Sequence, residues 1–206
     1  MKPFLRALAP ALCALALSPC ASSAPAIALD GYRVVPIRNG ITPFDFGTHG
    51  GKAAARKLPG YIVVSHRENF NAHGFDVISF HAYEPGEQQK ILGLISIFAE
   101  GDKEQYNVNV SGGADCVLHD FRLLESTRGK PALLVVADHD PGETFVDPAS
   151  VSFHYYRLGE NADGTPGEPH LYFKQVDVRT SKRNYCDVGD AFKAELGLGP
   201  YAPPQN

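Results

Sequence analysis

A polar stretch from His66 to Asp76 holds the densest group of side chains that could do chemistry. Two imidazoles with carboxylates can bind a transition metal, carboxylates with amides can bind calcium, and a guanidinium can hold an anionic ligand. The structural alternative is a long hairpin loop whose Asn and Asp side chains cap its own backbone. The candidate ligand-binding residues are His66, Arg67, Glu68, Asn69, Asn71, His73 and Asp76.

A second acidic group follows an apolar run and consists of Asp138, Asp140 and Glu143. Alternating acids near a glycine are typical of calcium loops, but Pro141 interrupts the EF-hand spacing. A solvated acidic turn is the alternative. Neither cluster requires a cofactor, and calcium or another divalent metal is the cofactor that either could take.

The run Pro43–Lys52 superficially has the look of a phosphate-binding loop. The glycine spacing fails, and Ala53 follows the lysine where Ser or Thr is needed. We therefore predict a flexible turn between strands.

Residues 63–83 and 135–156 share the pattern of a Val-Val strand, a polar loop and a Ser-Phe-His strand, offset by 72 to 73 positions. Either the chain contains an internal repeat or two strands simply resemble each other. A repeat would place His81 and His154 in matching positions.

Several classes of function lack their usual sequence marks. The chain contains no Ser-x-x-Lys, Gly-x-Ser-x-Gly, His-Glu-x-x-His or Cys-x-x-Cys pattern, which argues against the well-known serine, zinc and thiol chemistries. The net charge of -4, with 20% charged residues, argues against nucleic-acid binding. These absences favour binding over catalysis, without deciding whether the protein is an enzyme.

The elements that must position these residues are short strands. Runs rich in Val, Ile, Tyr and Phe alternate with turn residues, and helical periodicity is nearly absent. We predict an all-β, antiparallel β-sandwich with little helix; Gly51–Lys57 and Asp190–Leu196 could each form one or two helical turns. The predicted strands are Tyr32–Ile37, Tyr61–Ser65, Val77–Tyr83, Ile91–Phe98, Tyr106–Val110, Cys116–Leu124, Ala132–Ala137, Val151–Leu158 and Leu171–Val178.

The first 26 residues have the pattern of a secretory signal peptide: two basic residues, a short apolar run and small residues ending in A-x-A. The apolar run is too short for a transmembrane helix, which needs about 20 residues. We therefore expect cleavage after Ala26 and a periplasmic protein. The alternative is a lipoprotein box at Leu17–Cys20, in which Cys20 would be acylated.

Beyond the leader we expect one domain, residues 27–198, and an extended C-terminal tail, residues 199–206. Two cysteines, Cys116 and Cys186, remain in the domain, and an oxidising compartment allows them to pair. We predict a disulfide between them.

The stretch from Arg67 to Asp76, flanked by apolar strands, resembles the carbapenem intrinsic-resistance (self-resistance) proteins of the CarG type. Members commonly show an Asn-x-Asn-Ala-His-x-x-Asp loop, which Asn69, Asn71, His73 and Asp76 match with the intervening alanine. The segment around Cys186 also looks similar to the later part of that family. Upstream, where relatives tend to have a calcium-loop-like acidic run, this chain keeps one acid, Asp45.

The resemblance implies a β-sandwich and an exported, protective role that is not β-lactam hydrolysis. The partner would be a β-lactam or a cell-envelope component, with the 66–76 loop as the recognition surface, jointly with Asp138–Glu143. Two alternatives remain open. One is a metal-dependent hydrolase using His66, His73 and Asp76, with His81 as a further ligand. The other is a carbohydrate- or envelope-binding module with Tyr155 and Tyr156 as an exposed platform.

Overall fold

The computed structural model describes residues 27–47, 57–71, 73–84, 91–112, 116–142, 144 and 147–201. Strands dominate these residues, and one α-helix, α1 (Val188–Leu196), lies near the end of the chain. The predicted all-β fold with little helix is confirmed. The strands are β1 (Tyr32–Val34), β2 (Gly40–Asp45), β3 (Pro59–Arg67), β4 (Phe75–Tyr83), β5 (Leu92–Leu94), β6 (Ser96–Phe98), β7 (Glu104–Gln105), β8 (Val108–Gly112), β9 (Val117–Ser126), β10 (Leu133–His139), β11 (Val151–Glu160) and β12 (Leu171–Thr180).

The strands pair in the order β2-β3-β4-β8-β9-β10-β11-β12-β6-β7, with β1 on β9 and β5 on β4. The pairs are antiparallel except for β6 with β12. Two short segments connect strands β2–β4 with strands β9–β12. Strand β8 pairs with both β4 and β9, and the run 92–98 pairs with β4 through β5 and with β12 through β6.

The main core forms where β3 and β4 pack against one face of β9–β12, which gives a β-sandwich-like arrangement. Phe80 of β4 contacts Phe121 of β9 and Phe173 of β12 edge to face, with ring centroids 6.2 Å and 5.4 Å apart. All three rings are essentially inaccessible to solvent. We call this side of β9–β12 the core face.

The opposite face of β9–β11 packs against α1 in a second core, in which Phe153 contacts Phe192 with ring centroids 5.5 Å apart. Asp187 caps the helix by accepting a hydrogen bond from the backbone N–H of Gly189. Its other carboxylate oxygen accepts from the backbone N–H of Val117 at 3.3 Å. The helix start is therefore fixed to the start of β9.

The predicted disulfide joins Cys116 to Cys186 at this same place, with a Cα–Cα distance of 5.6 Å. A disulfide is consistent with a periplasmic or extracellular location. The predicted signal peptide, including Cys20, lies outside the described residues. In the part of the chain that the structure describes, no helix combines the length and the apolar character that crossing a membrane requires.

A buried ion pair lies beneath α1. The Arg122 guanidinium donates to the Asp120 carboxylate at 2.6 Å and to the carbonyl oxygen of Gly199 at 2.6 Å. It also stacks over the ring of Phe192, 4.3 Å from the centroid. Beyond Gly199, Tyr201 packs on Phe121 with ring centroids 4.7 Å apart, so residues 199–201 of the predicted tail lie against the domain.

Each predicted strand overlaps an observed one, but two predictions need correction. The predicted turn at residues 43–52 is wrong for its first part, because Pro43–Asp45 belong to β2 and pair with Pro59–Tyr61 of β3. The predicted strand Ile91–Phe98 is two strands, since its halves pair with different partners. The predicted helical turn at 51–57 falls almost wholly outside the described residues.

The two halves of the suspected repeat are both antiparallel hairpins, β3–β4 and β10–β11. Their registers differ by three residues: Val63 pairs with Ser79, whereas Val135 pairs with Tyr155 rather than with Ser152. An odd shift turns side chains to the opposite face of the sheet. His81 and His154 therefore do not occupy matching positions.

Candidate functional site

A cleft of about 740 Å³ opens where the chain crosses from β6 to β8 over the core face of β9–β12. One wall is the crossing segment, residues 97–111, and the other is formed by side chains of β9, β10, β11 and β12. Small-molecule sites span roughly 300–1,000 Å³. The cleft has the size of a ligand site, and Val136 and Tyr156 at its floor connect it to the main core.

Three strands change from apolar to polar at the same end of the core face, and this change forms the floor of the cleft. In β9, alternate residues on this face are Leu123, Phe121 and His119, of which Leu123 and Phe121 are fully buried. Residues Leu134, Val136 and Asp138 of β10 and residues Leu158, Tyr156 and His154 of β11 follow the same course. Since alternate residues share a face, each strand places one ionisable side chain beside the others.

These three side chains form a row across the sheet. Asp138 lies directly across from His119 in the pairing of β9 with β10, and its carboxylate is 2.7 Å from His119 Nδ1. The second carboxylate oxygen lies 3.4 Å from His154 Nε2. The hydrogen bond to Asp138 raises the pKa of His119 above its ordinary value, against an opposing effect of burial.

Two hydroxyl groups also line the cleft. Ser111 lies directly across from His119 in the pairing of β8 with β9. Burial, with the nearby Asp138 carboxylate, raises the pKa of Tyr156 to about 12, so this phenol is protonated at neutral pH and can donate a hydrogen bond.

The cleft is also lined by amide side chains, which come mainly from the crossing segment. Gln105, Asn107 and Asn109 belong to that segment, and Gln175 faces them from β12. Within the described residues, none of these four amides makes a side-chain hydrogen bond to the protein. Each amide carries two donor hydrogens and an acceptor oxygen, so the wall offers unused polar groups to a ligand.

Two β-bulges lie beside the cleft. Leu118 is an extra residue in β9 next to His119, and Val176 is an extra residue in β12 next to Gln175. Bulges bend a strand and re-aim its side chains. The two bulges interrupt the regular pairing of the sheet at the place where the cleft lies.

The 66–76 loop predicted from sequence has a different character. His66 Nδ1 lies 2.8 Å from the Asp76 carboxylate, and Glu68 lies 3.6 Å from His66 Nε2. The Asp76 hydrogen bond raises the pKa of His66, and the backbone N–H of Phe70 holds the pKa of Glu68 below its ordinary value. These carboxylates and the imidazole are therefore engaged with each other at the surface.

The amides of the same loop also serve its own backbone. The Asn69 side chain donates to the carbonyl oxygen of His73 at 2.7 Å, and Asn71 accepts from the backbone N–H of His73 at 2.8 Å. Arg67 stacks over Phe75, 5.4 Å from the ring centroid. The seven predicted residues lie together at one hairpin, three at the facing ends of β3 and β4 and four in the connection between them. The geometry is that of a self-capped hairpin connection.

The second predicted cluster is divided. Asp138 lies in the cleft, whereas Asp140 accepts hydrogen bonds from the hydroxyl groups of Ser150 and Ser152 at 2.5 Å and 3.0 Å. Glu143 lies outside the described residues. Among the residues that are described, no three His, Cys, Asp or Glu side chains come together in a group that could hold a metal ion.

The structure also bears on the predicted tyrosine platform and on His81. Tyr155 and Tyr156 do not form an exposed platform: they are 0% and 6% exposed and point to opposite faces of β11, so that expectation is wrong. His81 lies on the side of β4 away from the core, 2.9 Å from the Ser79 hydroxyl, and partial burial lowers its pKa.

The sequence interpretation missed His119 and the four amides. The alternation of residues in β9 could have indicated His119, because this histidine shares a face of the strand with the buried residues Phe121 and Leu123. The same alternation in β12, where Gln175 follows the buried residues Leu171 and Phe173, could have found Gln175. Gln105, Asn107 and Asn109 carry no such signal, because they lie in or beside short strands whose position over the sheet is set by tertiary packing.

No known protein-family pattern and no curated protein matches this sequence. Among solved structures, the chain is similar to one described as the crystal structure of CarG. The chain has the fold of CarG. The match has a TM-score of 0.59 and 20% sequence identity, and it covers 81% of this chain and 98% of CarG. The resemblance seen in the sequence is thereby confirmed at the level of the fold.

Proposed function

We propose that this protein is an exported, non-hydrolytic binding protein of the carbapenem-protection type, and that its ligand site is the cleft between the crossing segment and the core face. The proposal combines the signal-like first 26 residues, the disulfide and the CarG fold with the geometry of the cleft. The protein would protect the cell envelope by holding the antibiotic or an envelope component.

The observation that carries the binding function is the set of polar side chains that the cleft presents. His119, Asp138 and His154 are fixed relative to one another on three neighbouring strands, which is a rigid support for a ligand. The amide side chains of Gln105, Asn107, Asn109 and Gln175 make no hydrogen bonds within the described part of the protein. A pocket with an apolar floor and a few converging polar groups is the usual form of a small-molecule site.

The same geometry supports binding rather than hydrolysis. A serine nucleophile needs a base within hydrogen-bond reach, and Ser111 makes no hydrogen bond to His119 in the described structure. The histidines contact a single carboxylate between them. This leaves the cleft without an activated nucleophile among its described residues.

The test is carbapenem susceptibility of a Gram-negative host that expresses the full-length protein. We expect wild type to raise the minimal inhibitory concentration several-fold, and the double variant His119→Ala/His154→Ala to lose most of that protection. Purified protein should leave the ultraviolet absorbance of the carbapenem unchanged over hours. Immunoblots of periplasmic fractions and melting curves show that each variant is exported and folded.

A matched control is His73→Ala, which removes a histidine of the self-capped loop and leaves the cleft intact. Protection that depends on His73 and not on His119 and His154 would move the site to the loop. Unchanged susceptibility with folded, exported wild type would reject the protective function, and steady turnover of the carbapenem would reject the non-hydrolytic one.

A further inference from the structure

We infer that the ligand of the cleft is a neutral, hydroxyl-rich saccharide chain. This inference rests on the proposed function, since it names the ligand class of the same site. Three features of the cleft carry it: the balance of charge on its walls, the kind of polar groups that are left unpaired, and an exposed aromatic ring at its rim.

The charge on the walls does not suit an anionic ligand. No Lys or Arg side chain lines the cleft among the described residues, whereas Glu100 and Asp138 do. His119, whose pKa is raised by its hydrogen bond to Asp138, is already paired with that carboxylate. A ligand carboxylate, such as the one every carbapenem carries, would meet two acids and no unpaired fixed cation. A neutral ligand avoids this repulsion.

The unpaired groups match the chemistry of hydroxyls. Gln105, Asn107 and Asn109 stand on one wall and Gln175 on the other. An amide side chain can both donate and accept hydrogen bonds, and a sugar hydroxyl can also do both. Vicinal hydroxyls can therefore pair with one amide through two hydrogen bonds. The Tyr156 hydroxyl and Ser111 add further groups of the same type along the floor.

Tyr106 supplies the aromatic surface that sugar binding uses. It belongs to the crossing segment, lines the cleft and is 53% exposed. Its hydroxyl group donates to the carboxylate of Glu104 at 3.2 Å at the rim of the cleft. A half-exposed ring with its polar tip held in place offers an apolar face to the C–H face of a sugar ring.

The experiment is a calorimetric titration of the folded, disulfide-bonded protein with three probes. The probes are a neutral N-acetylglucosamine tetramer, a neutral glucose tetramer and a carbapenem. We expect at least one neutral tetramer to bind at millimolar concentration or below, with an affinity that is unchanged by added salt because no ion pair is formed. The double variant Asn107→Ala/Asn109→Ala should bind roughly tenfold more weakly.

The matched control is Asn184→Ala, which removes an exposed amide of a loop distant in sequence from the crossing segment. Its affinity should equal that of wild type. Tyr106→Leu keeps an apolar side chain without the ring and should also weaken saccharide binding. Melting curves for all variants separate loss of binding from loss of folding, since the changed residues are exposed and make no side-chain contacts needed by the core.

The possible results separate the two proposals. Salt-independent binding of a neutral tetramer that the cleft variants weaken would support the inference. Binding of the carbapenem alone at the cleft would overturn the inference and leave the protective function in place. Saccharide binding without any effect on susceptibility would keep the inference and reject the protective function. No binding of either tetramer at millimolar concentration would overturn the inference.

Discussion

At the scale of single residues, the pairing of His119 with Asp138 determines how the cleft responds to pH. His119 is half exposed and receives its raised pKa chiefly from the hydrogen bond to Asp138. A histidine whose pKa is raised by folding stabilises the folded state while it is protonated. That contribution is complete below the unfolded pKa of about 6.5 and is lost as the pH rises through the folded pKa.

We therefore expect His119→Gln to lower the melting temperature more at about pH 5.5 than at about pH 8, because Gln keeps a donor and loses the charge. The difference should correspond to less than about 1 kcal/mol, since solvent screens a half-exposed pair. Equal effects at the two pH values would show that the pair contributes no charge-dependent stability.

In contrast to the half-exposed His119, the charged side chain of Arg122 is almost wholly buried. Its side chain is 3% exposed and that of Asp120 is 11% exposed. Burial raises the pKa of Asp120, and the adjacent guanidinium opposes this effect. Removing one member of such a pair leaves the other charge buried without a partner.

We expect Arg122→Met to lower the free energy of unfolding by about 3–5 kcal/mol, measured by urea denaturation. The double variant Asp120→Asn/Arg122→Met should recover part of this loss, because the unpaired carboxylate is gone. A loss below about 1 kcal/mol in the single variant would mean that the ion pair is not a structural requirement.

The candidate site was only partly predictable from sequence, and residue types explain why. The 66–76 loop attracts attention because its polar residues are contiguous, yet contiguous polar residues in a hairpin connection satisfy one another, as Asn69, Asn71 and Asp76 do. The cleft is assembled from His119, Asp138 and His154 on three strands. Their proximity depends on the register of strand pairing, which could not be read from the sequence alone.

At the scale of elements, the packing of β2, β3 and β4 depends on one glycine. Gly60 pairs with Phe44 on one side and Ala82 on the other. A Cβ atom at this position would collide with the carbonyl oxygen of His81 and lie 2.9 Å from a ring carbon of Phe46. The close approach of the three strands therefore requires a residue without a side chain.

We expect Gly60→Ala to lower the free energy of unfolding by about 2–3 kcal/mol, because backbone atoms must move to admit the methyl group. Gly199→Ala is the matched control, since nothing lies within 4 Å of a Cβ atom there. Urea denaturation of both variants measures the effect. A similar loss in the two variants would contradict the steric explanation.

The types of the elements were more predictable than their pairing. Runs such as Val77–Tyr83 are apolar on alternate residues and β-branched, so local composition already favours a strand. Strand β2 escaped prediction because it begins at Gly40 and contains Pro43, which are typical of turns, although a proline is tolerated at the edge of a sheet. The division of residues 91–98 between β4 and β12 is a tertiary effect that local composition does not encode.

At the scale of the whole molecule, the C-terminal helix α1 is tied to the start of β9. The disulfide closes a span of 70 residues between Cys116 and Cys186, and Asp187 bonds both the helix and Val117. The helix α1 is therefore held on the sheet by a covalent bond as well as by the apolar contacts of the second core.

We expect Cys116→Ser/Cys186→Ser to lower the free energy of unfolding by about 3–4 kcal/mol, because the bond restricts the unfolded chain and also attaches α1 to β9 in the folded state. Hydrogen exchange should increase most in α1 and the start of β9, whereas amides of β4 and β12 should change in parallel with global stability. Uniform loss of protection across all strands would indicate that the bond acts on the unfolded state alone.

The extra residues Leu118 and Val176 give a way of sorting distant relatives. Each adds one unpaired position to a strand, so a relative with regular pairing there would show a single-residue gap. Relatives that share the strand order but carry these gaps would keep the architecture, with β9 and β12 less bent beside the cleft. Two alignment columns thus distinguish inheritance of the scaffold from inheritance of the bent strands that border the cleft.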